Sequence, residues 1–261
     1  MNYSSYLQSE HWKVKRKEKL LINNKCELCG IDTGLNIHHN SYKNLYNEPL
    51  EDLNTLCSSC HSICHKSNAT NVRNIVILSK KHINMIRELT ATEIQVLFNI
   101  YNGVDSIVKK DYSEIKTVKN ITNKEKSEAL ENISKIGMFK LEYDGIEVTA
   151  IAYPKYMYNN LEQFIILDKT EMLSFSSKYA AMLCLFARQY YQLGIYLMPI
   201  NDFRDYFQVP DSYQISVITE RILEYGTNEI NSKTQFNVKY EKVKTRGKVS
   251  HIRFIMKENK E

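Results

Sequence analysis

The first 66 residues hold nearly all of the chain's metal-binding chemistry. Five of its six cysteines (Cys26, Cys29, Cys57, Cys60, Cys64) and five of its seven histidines (His11, His38, His39, His61, His65) fall there; only Cys184, His82 and His251 lie beyond. The opening stretch MNYSSYLQSEHWKVKRKEKL has no apolar core of signal-peptide type, and no later run approaches membrane-spanning length. The expectation is a cytoplasmic protein without a membrane partner. In that reducing setting, clustered Cys and His mean metal more often than disulfide.

Cys26-Glu27-Leu28-Cys29 and Cys57-Ser58-Ser59-Cys60 are two CxxC knuckles. Four thiolates satisfy the tetrahedral preference of Zn²⁺, each knuckle supplying two from a tight turn. The spacing predicts a structural zinc on Cys26, Cys29, Cys57 and Cys60. A redox dithiol is the rival, but no thioredoxin-like strand context accompanies the pairs. Metal binding also supplies folding free energy that a module this short lacks. Trp12, Leu20, Leu21, Leu35, Ile37, Leu53 and Leu56 are the expected remainder of its core.

A four-thiolate centre needs no histidine, so His38-His39 and His61-x-x-x-His65 require a separate account. His61 and His65 are four apart, on one face of a helix starting near Cys57. His38 and His39 end LNIHH, which alternates like a strand. Adjacent strand residues point to opposite faces, so both reach one centre only if the backbone bends, for instance at Asn40. Cys64 is most simply a buried helix residue, and His11, His82 and His251 read as ordinary polar residues.

The run CELCG…LNIHHNSYKNLYNEPLEDLNTLCSSCHSICH resembles the HNH endonuclease family in its four-cysteine, ββα-metal form, over roughly residues 3–66. The resemblance implies a catalytic set of His38, His39, Asp52 and His61. His39 matches the general base that activates water, and His38 and His61 match metal ligands, with His65 a further ligand. Asp52 stands where the family usually has Asn; ionised Asp ligates a hard cation better but cannot donate a hydrogen bond. Asn47 and Asn54 are nearby substitutes. The implied second ion is a divalent metal, Mg²⁺, Mn²⁺, Ni²⁺ or Zn²⁺. A neutral imidazole near pH 7 suits proton acceptance, and a divalent ion suits the charge at phosphorus. One site cuts one strand, so a monomer would nick and a homodimer could cut both. The bland alternative is a degenerate HNH fold kept as a zinc-bound DNA-contact module.

Beyond a polar linker (67–74), two stretches repeat one order. In the first, helices are predicted over 90–103 and 121–137, followed by a hairpin over 138–153 around Asp144-Gly145. In the second, helices over 175–193, 198–207 and 212–231 precede strands over 236–244 and 248–257 that flank Thr245-Arg246-Gly247. Helices followed by a β-wing make a winged helix. Residues 161–261 resemble the C-terminal winged helix of Rep-type plasmid replication initiators, through LSFSSKYAAMLCLFARQYY, VPDSY and EINSKTQFNVKYEKVKTRGKVSHIRFIMK; residues 75–160 match the companion domain loosely. The resemblance implies that the helix from Ser212 enters a major groove, with Tyr213, Gln214 and Arg221 as contacts. Lys244, Arg246 and Lys248 would meet phosphates from the wing. Arg221 is the one base in SYQISVITERI, which shifts the burden of affinity to the wing and the first domain.

Charge alone permits nucleic acid without requiring it: the net charge is +5, with 8 Lys+Arg against 7 Asp+Glu in residues 1–66 and 27 against 23 in the rest. The expected fold is α+β, a zinc-bound ββα-metal (HNH) domain (1–68) followed by two winged-helix domains (69–160 and 161–261). The expected function is a metal-dependent DNA endonuclease or nickase of a plasmid or phage-type element, acting on double-stranded DNA. Two alternatives stand beside it: a non-catalytic replication initiator or regulator with a structural zinc module, and RNA as the substrate.

Overall fold

The computed structural model describes residues 2–28, 31–66, 75–101, 107–137, 139–152 and 164–258. At the N-terminus a short helix α1 (Tyr3–Leu7) leads into α2 (Glu10–Ile22). Asn2 and Ser9 start them by accepting the backbone N–H groups of Ser5 and Trp12. Strands β1 (Leu35–His39) and β2 (Leu53–Cys57) pair antiparallel, with Leu35 opposite Cys57 and His39 opposite Leu53. Helix α3 (Ser58–Lys66) follows β2 without a loop. Tyr6, Trp12, Ile37 and Leu53 form the small core between helices and ribbon. Leu20 packs partly against it, but Leu21, expected inside, is 78% exposed. Nine residues past Trp12 is half a turn around the helix, so Leu21 faces water.

The middle region contains β3 (Ile75–Ser79), α4 (Lys80–Ile86), α5 (Ala91–Ile100), β4 (Ile107–Asp111), α6 (Asn123–Lys135), β5 (Phe139–Tyr143) and β6 (Glu147–Ala152). Its sheet has the order β4-β6-β5. Both long helices open on capping boxes, Thr90 with Glu93 and Thr122 with Glu125. Glu93 also accepts from Asn132 Nδ2 at 2.6 Å, which ties α5 to α6. Gly145 sits at φ 95° in the hairpin turn, a conformation that excludes most side chains. The polar linker 67–74, the end of the helix predicted over 90–103 and the end of the hairpin at Tyr153 lie outside the described residues.

The second winged helix contains β7 (Phe164–Asp168), α7 (Lys169–Ser174), α8 (Lys178–Tyr190), β8 (Ile195–Pro199) and α9 (Ile200–Phe207). Then come α10 (Ile215–Ile218), a π-helical segment (Thr219–Glu224), α11 (Tyr225–Lys233), β9 (Phe236–Thr245) and β10 (Lys248–Glu258). Its sheet runs β8-β10-β9. The helix expected from Ser212 starts later, at Ile215. The backbone N–H of Tyr213 donates to Pro210 O at 2.9 Å, closing a turn that keeps Asp211 and Ser212 out of the helix.

The middle and C-terminal regions share hydrogen bonds and a core. Strand β3 pairs antiparallel with β7, Ile75 opposite Asp168 and Ser79 opposite Phe164. One apolar cluster runs from Val76, Leu97 and Phe98 through Leu167 to Phe186 and Phe254. Arg87 adds a polar tie: Nε donates to Tyr206 O at 2.6 Å and a terminal nitrogen to Asp205 O at 2.5 Å, with the guanidinium 4.5 Å from the Tyr206 ring. These carbonyls end α9, where a cation suits the helix dipole. Among the described residues no helix is long and apolar enough to cross a membrane.

Phe254 is fully buried, with the rings of Phe186 and Phe203 at 5.0 and 6.2 Å. Phe254→Ala is expected to lower stability by about 3–5 kcal/mol, read as a lower urea midpoint. An unchanged midpoint would mean that the second core closes around the gap.

Candidate functional site

The cysteine knuckles meet as expected for three of their four members. The ligand atoms of Cys26, Cys57 and Cys60 all lie within 4.8 Å of one another and are buried. Cys29 lies outside the described residues. The backbone N–H of Cys60 donates to Cys57 Sγ at 3.5 Å, the local signature of a knuckle turn. Glu27 pins the first knuckle to β2: its N–H donates to Thr55 O and its carboxylate accepts from Thr55 N, both at 2.8 Å. Lys19 balances that carboxylate at 3.2 Å. Converging soft thiols on a braced scaffold fit zinc. Cys64 is buried beside them, and burial pushes its thiol up to about 12.

On the other side of α3, three imidazoles converge. The ring nitrogens of His38, His61 and His65 share one 4.8 Å neighbourhood. Ring centroids are 5.3 Å apart for His38 and His61, 5.1 Å for His38 and His65, and 4.6 Å for His61 and His65. His61 Nε2 faces His65 Nε2 at 3.3 Å. His38 Nδ1 is buried with no hydrogen-bond partner among the described residues. Burial, with help from His61 and His65, pulls His38 down to about 4, so the ring is neutral near pH 7 and has a lone pair to offer. A set of three imidazoles fits a borderline transition ion such as Zn²⁺ or Ni²⁺ better than the hard Mg²⁺.

Asp52 is not drawn into this cluster. It ends a 3-10 turn (Leu50–Asp52), accepts from Asn44 Nδ2 at 3.0 Å and receives the backbone N–H of Asn40 at 2.8 Å on its carbonyl. Of the two substitutes, the Asn54 side chain is occupied elsewhere and Asn47 is exposed. Asn54 bonds Asn40 and Glu27, and Asn47 donates its N–H to Asn44 O.

His39 occupies the opposite face of β1. The bend that would bring both histidines to one centre is missing, because the ladder stays regular through His39 and continues with the Asn40–Asp52 bond. The His39 side chain is only 1% exposed. Trp12 stacks on its ring at 4.6 Å and 19°, and Tyr42 at 5.5 Å and 24°. Nε2 lies 3.2 Å from Glu48 Oε1, and Nδ1 lies 3.4 Å from the Tyr3 hydroxyl.

Glu48 was not singled out by sequence, and neither was its role for His11. Its carboxylate is fully buried and also accepts from the Tyr6 hydroxyl, from Tyr46 N–H at 3.3 Å and from His11 Nε2 at 3.3 Å. Burial works against its charge, yet the bonds from Tyr6, the backbone, His11 and His39 hold the carboxyl down at about 2. The only hint in the chain is the NEPLEDL loop itself, where one acid precedes the proline.

In the second winged helix, Gln214 and Arg221 are exposed and Tyr213 is half-buried. Gln214 is the residue before α10, and Tyr213 lies outside the helix with its carbonyl accepting from Arg204 at 2.6 Å. The Arg221 guanidinium lies 5.9 Å from the Tyr213 ring. Lys244, Arg246 and Lys248 are exposed at the tip of the β9–β10 hairpin. Arg246 (φ 51°) and Gly247 (φ 80°) make its two-residue turn. Lys242 Nζ reaches Thr219 Oγ1 at 3.3 Å, tying the wing to the π-helical segment.

Residues 199–256 match the family described as "Initiator Rep protein, WH2". The match runs from the last residue of β8 through α9, α10 and α11 to both wing strands. No curated protein matches the chain. Among solved structures, the chain resembles "Crystal structure of Pi initiator protein in complex with iteron DNA", with a TM-score of 0.53 and 13% identity over 71% of this chain and 98% of that one. At that identity the likeness is one of fold alone.

Titration of metal-free protein with Co²⁺ is expected to give the near-ultraviolet thiolate-to-metal band of a sulfur-rich site. Cys57→Ser should weaken or remove it. An unchanged band would exclude Cys57 as a ligand.

Proposed function

We propose that the chain is a double-stranded DNA-binding protein of the replication-initiator type. The observation that carries the reading is the second winged helix, matched over residues 199–256, with its three-residue basic tip. Exposed Gln214 and Arg221 at the start of the α10–α11 rod would meet base edges, and Lys244, Arg246 and Lys248 would meet phosphates. With Arg221 the single base between Ser212 and Asn231, the wing carries a large part of the affinity. Selection from random duplexes followed by gel shift tests this. Replacing Lys244, Arg246 and Lys248 together by Ala is expected to weaken all selected duplexes alike. It should also flatten the salt dependence of log K by about 3, near one per lost phosphate contact. A protein that selects no duplex would overturn the reading.

A second reading has its own support in the N-terminal module: metal-dependent cleavage of DNA, as the HNH resemblance implies. Three converging imidazoles with an orphaned His38 Nδ1 favour it. His38, His61 and His65 would hold a divalent ion, which when bound would neutralise charge on the scissile phosphodiester. By the resemblance His39 would take the proton of the attacking water, a role that needs a bend at the end of β1 that this structure does not have. Supercoiled plasmid, offered with Mg²⁺, Mn²⁺, Ni²⁺ or Zn²⁺, is expected to be nicked best with the transition ions. His39→Ala should abolish nicking while duplex binding persists. Intact plasmid throughout would leave the initiator reading alone, with the N-terminal module a DNA-contact or structural element.

A further inference from the structure

His39 is the middle member of a column of rings. Its side chain is buried, so both faces of the ring are covered, and the two rings parallel to it are Trp12 and Tyr42. Trp12 closes the inner end, in the small core with Tyr6, Ile37 and Leu53. Tyr42 forms the outer end and is 53% exposed. Tyr3 does not cap it. A ring resting on the outer face of Tyr42 would be farther from His39 than Tyr42 is by a full stacking distance. Tyr3 instead lies 6.1 Å from His39 and 5.8 Å from Tyr42, at 65° and 80°. It stands beside the column as a side wall, with its hydroxyl at the Nδ1 edge of His39. The column therefore ends in an aromatic face turned to solvent, which one more flat ring would extend. It is also ordered in advance. Buried Glu48 accepts from His39, from the Tyr6 hydroxyl, from His11 and from the Tyr46 N–H, so α1, α2, β1 and the loop carrying Tyr42 are fastened to one carboxylate. A ring docking on Tyr42 meets a platform whose side chains have little freedom left to lose.

Shape and charge name the occupant. Lys43, the next residue, is exposed, and its ammonium is unpaired among the described residues. It brings a cation to the same loop, within reach of a phosphate beside a stacked base. In a duplex each base already stacks on its neighbours, so only an unpaired base has a face to offer. We propose that Tyr42, at the end of the Trp12–His39–Tyr42 column and with Tyr3 as its side wall, is a stacking platform for an unpaired base of single-stranded DNA, with Lys43 on the adjoining phosphate. The platform lies across β1 from the three imidazoles and does not depend on whether they support cleavage. The choice of DNA as the strand rests on the initiator reading. On this account the buried carboxylate and the buried histidine share one task, which is to hold the exposed ring still.

The test titrates the full-length, metal-loaded protein into single-stranded oligodeoxythymidylate carrying one central 2-aminopurine, a base whose fluorescence is quenched by stacking. The unmodified protein is expected to bind and quench. Tyr42→Leu, which still covers His39 but offers no aromatic face, should bind about 10-fold more weakly and lose the quench. Tyr42→Trp should restore both. Lys43→Ala, which removes no packing, should flatten the salt dependence of log K by about 0.7, the value for one phosphate of a single strand. Equal affinity and quenching in Tyr42→Leu would overturn the platform, as would failure of the unmodified protein to bind the oligonucleotide. Self-association that Tyr42→Leu abolishes, without oligonucleotide binding, would assign the face to a second copy of the chain and overturn it too. Failure to select any duplex would sink the initiator reading; quenching that depends on Tyr42 would then still establish the platform.

Discussion

One nine-residue helix carries ligands toward two different side-chain clusters, and the N-terminal module is arranged around it. Cys60 and Cys64 lie four apart on α3 and face the thiols of Cys26 and Cys57; His61 and His65, each one residue further, are turned about 100° away and face His38. The helix therefore cannot rotate without disturbing both clusters. Strand β2 delivers Cys57 directly into it, and β1 is paired to β2 residue for residue, so the position of His38 is tied to the same thiols. The strand's alternation then sends His39 to the far side, where α1 and α2 provide a second environment made of aromatic rings and one buried carboxylate. Three neighbouring chemistries, thiol, imidazole and carboxylate, are kept apart by the elementary periods of a helix and a strand.

The winged-helix part depends on a different device. Two units with their own three-stranded sheets are joined by the β3–β7 ribbon and by Arg87 on the end of α9. The helix-turn-helix of the second unit is thus held from behind by the first. The rod that would face a groove contains a π-helical segment whose Thr219 hydroxyl donates to Ile215 O at 2.8 Å. Such a segment widens the helix locally and shifts the face presented beyond it.

What the sequence made legible follows from how local each signal is. Knuckle spacing, the i,i+4 histidines and the Asp144-Gly145 turn are encoded within a few residues, and the structure brings together three of the four knuckle cysteines, pairs the two histidines and has the turn where the spacing puts it. Strands β4 and β8 went unread because each is five residues long and acquires its identity only by pairing with a hairpin far along the chain. Glu48 and His11 went unread for the same reason: their partners are 9 to 42 residues away, and a lone acid in a polar loop has no period to betray it. The late start of α10 turned on one backbone bond to Pro210, which propensity does not register. The split between His38 and His39 was foreseeable from strand geometry. What could not be foreseen was that the strand would stay straight and that the aromatic residues of α1 and α2 would cover His39.

The β3–β7 pairing bears on how this protein tolerates being divided. A chain trimmed to begin at residue 161 would retain β7 but lose its partner, baring Ile165 and Leu167 and a row of unbonded amide and carbonyl groups. Such a strand is a template for any other chain that can pair with it, so the fragment would tend to assemble into dimers or aggregates of its own making. Oligomers observed with the isolated C-terminal unit would then report the cut rather than the habit of the whole protein.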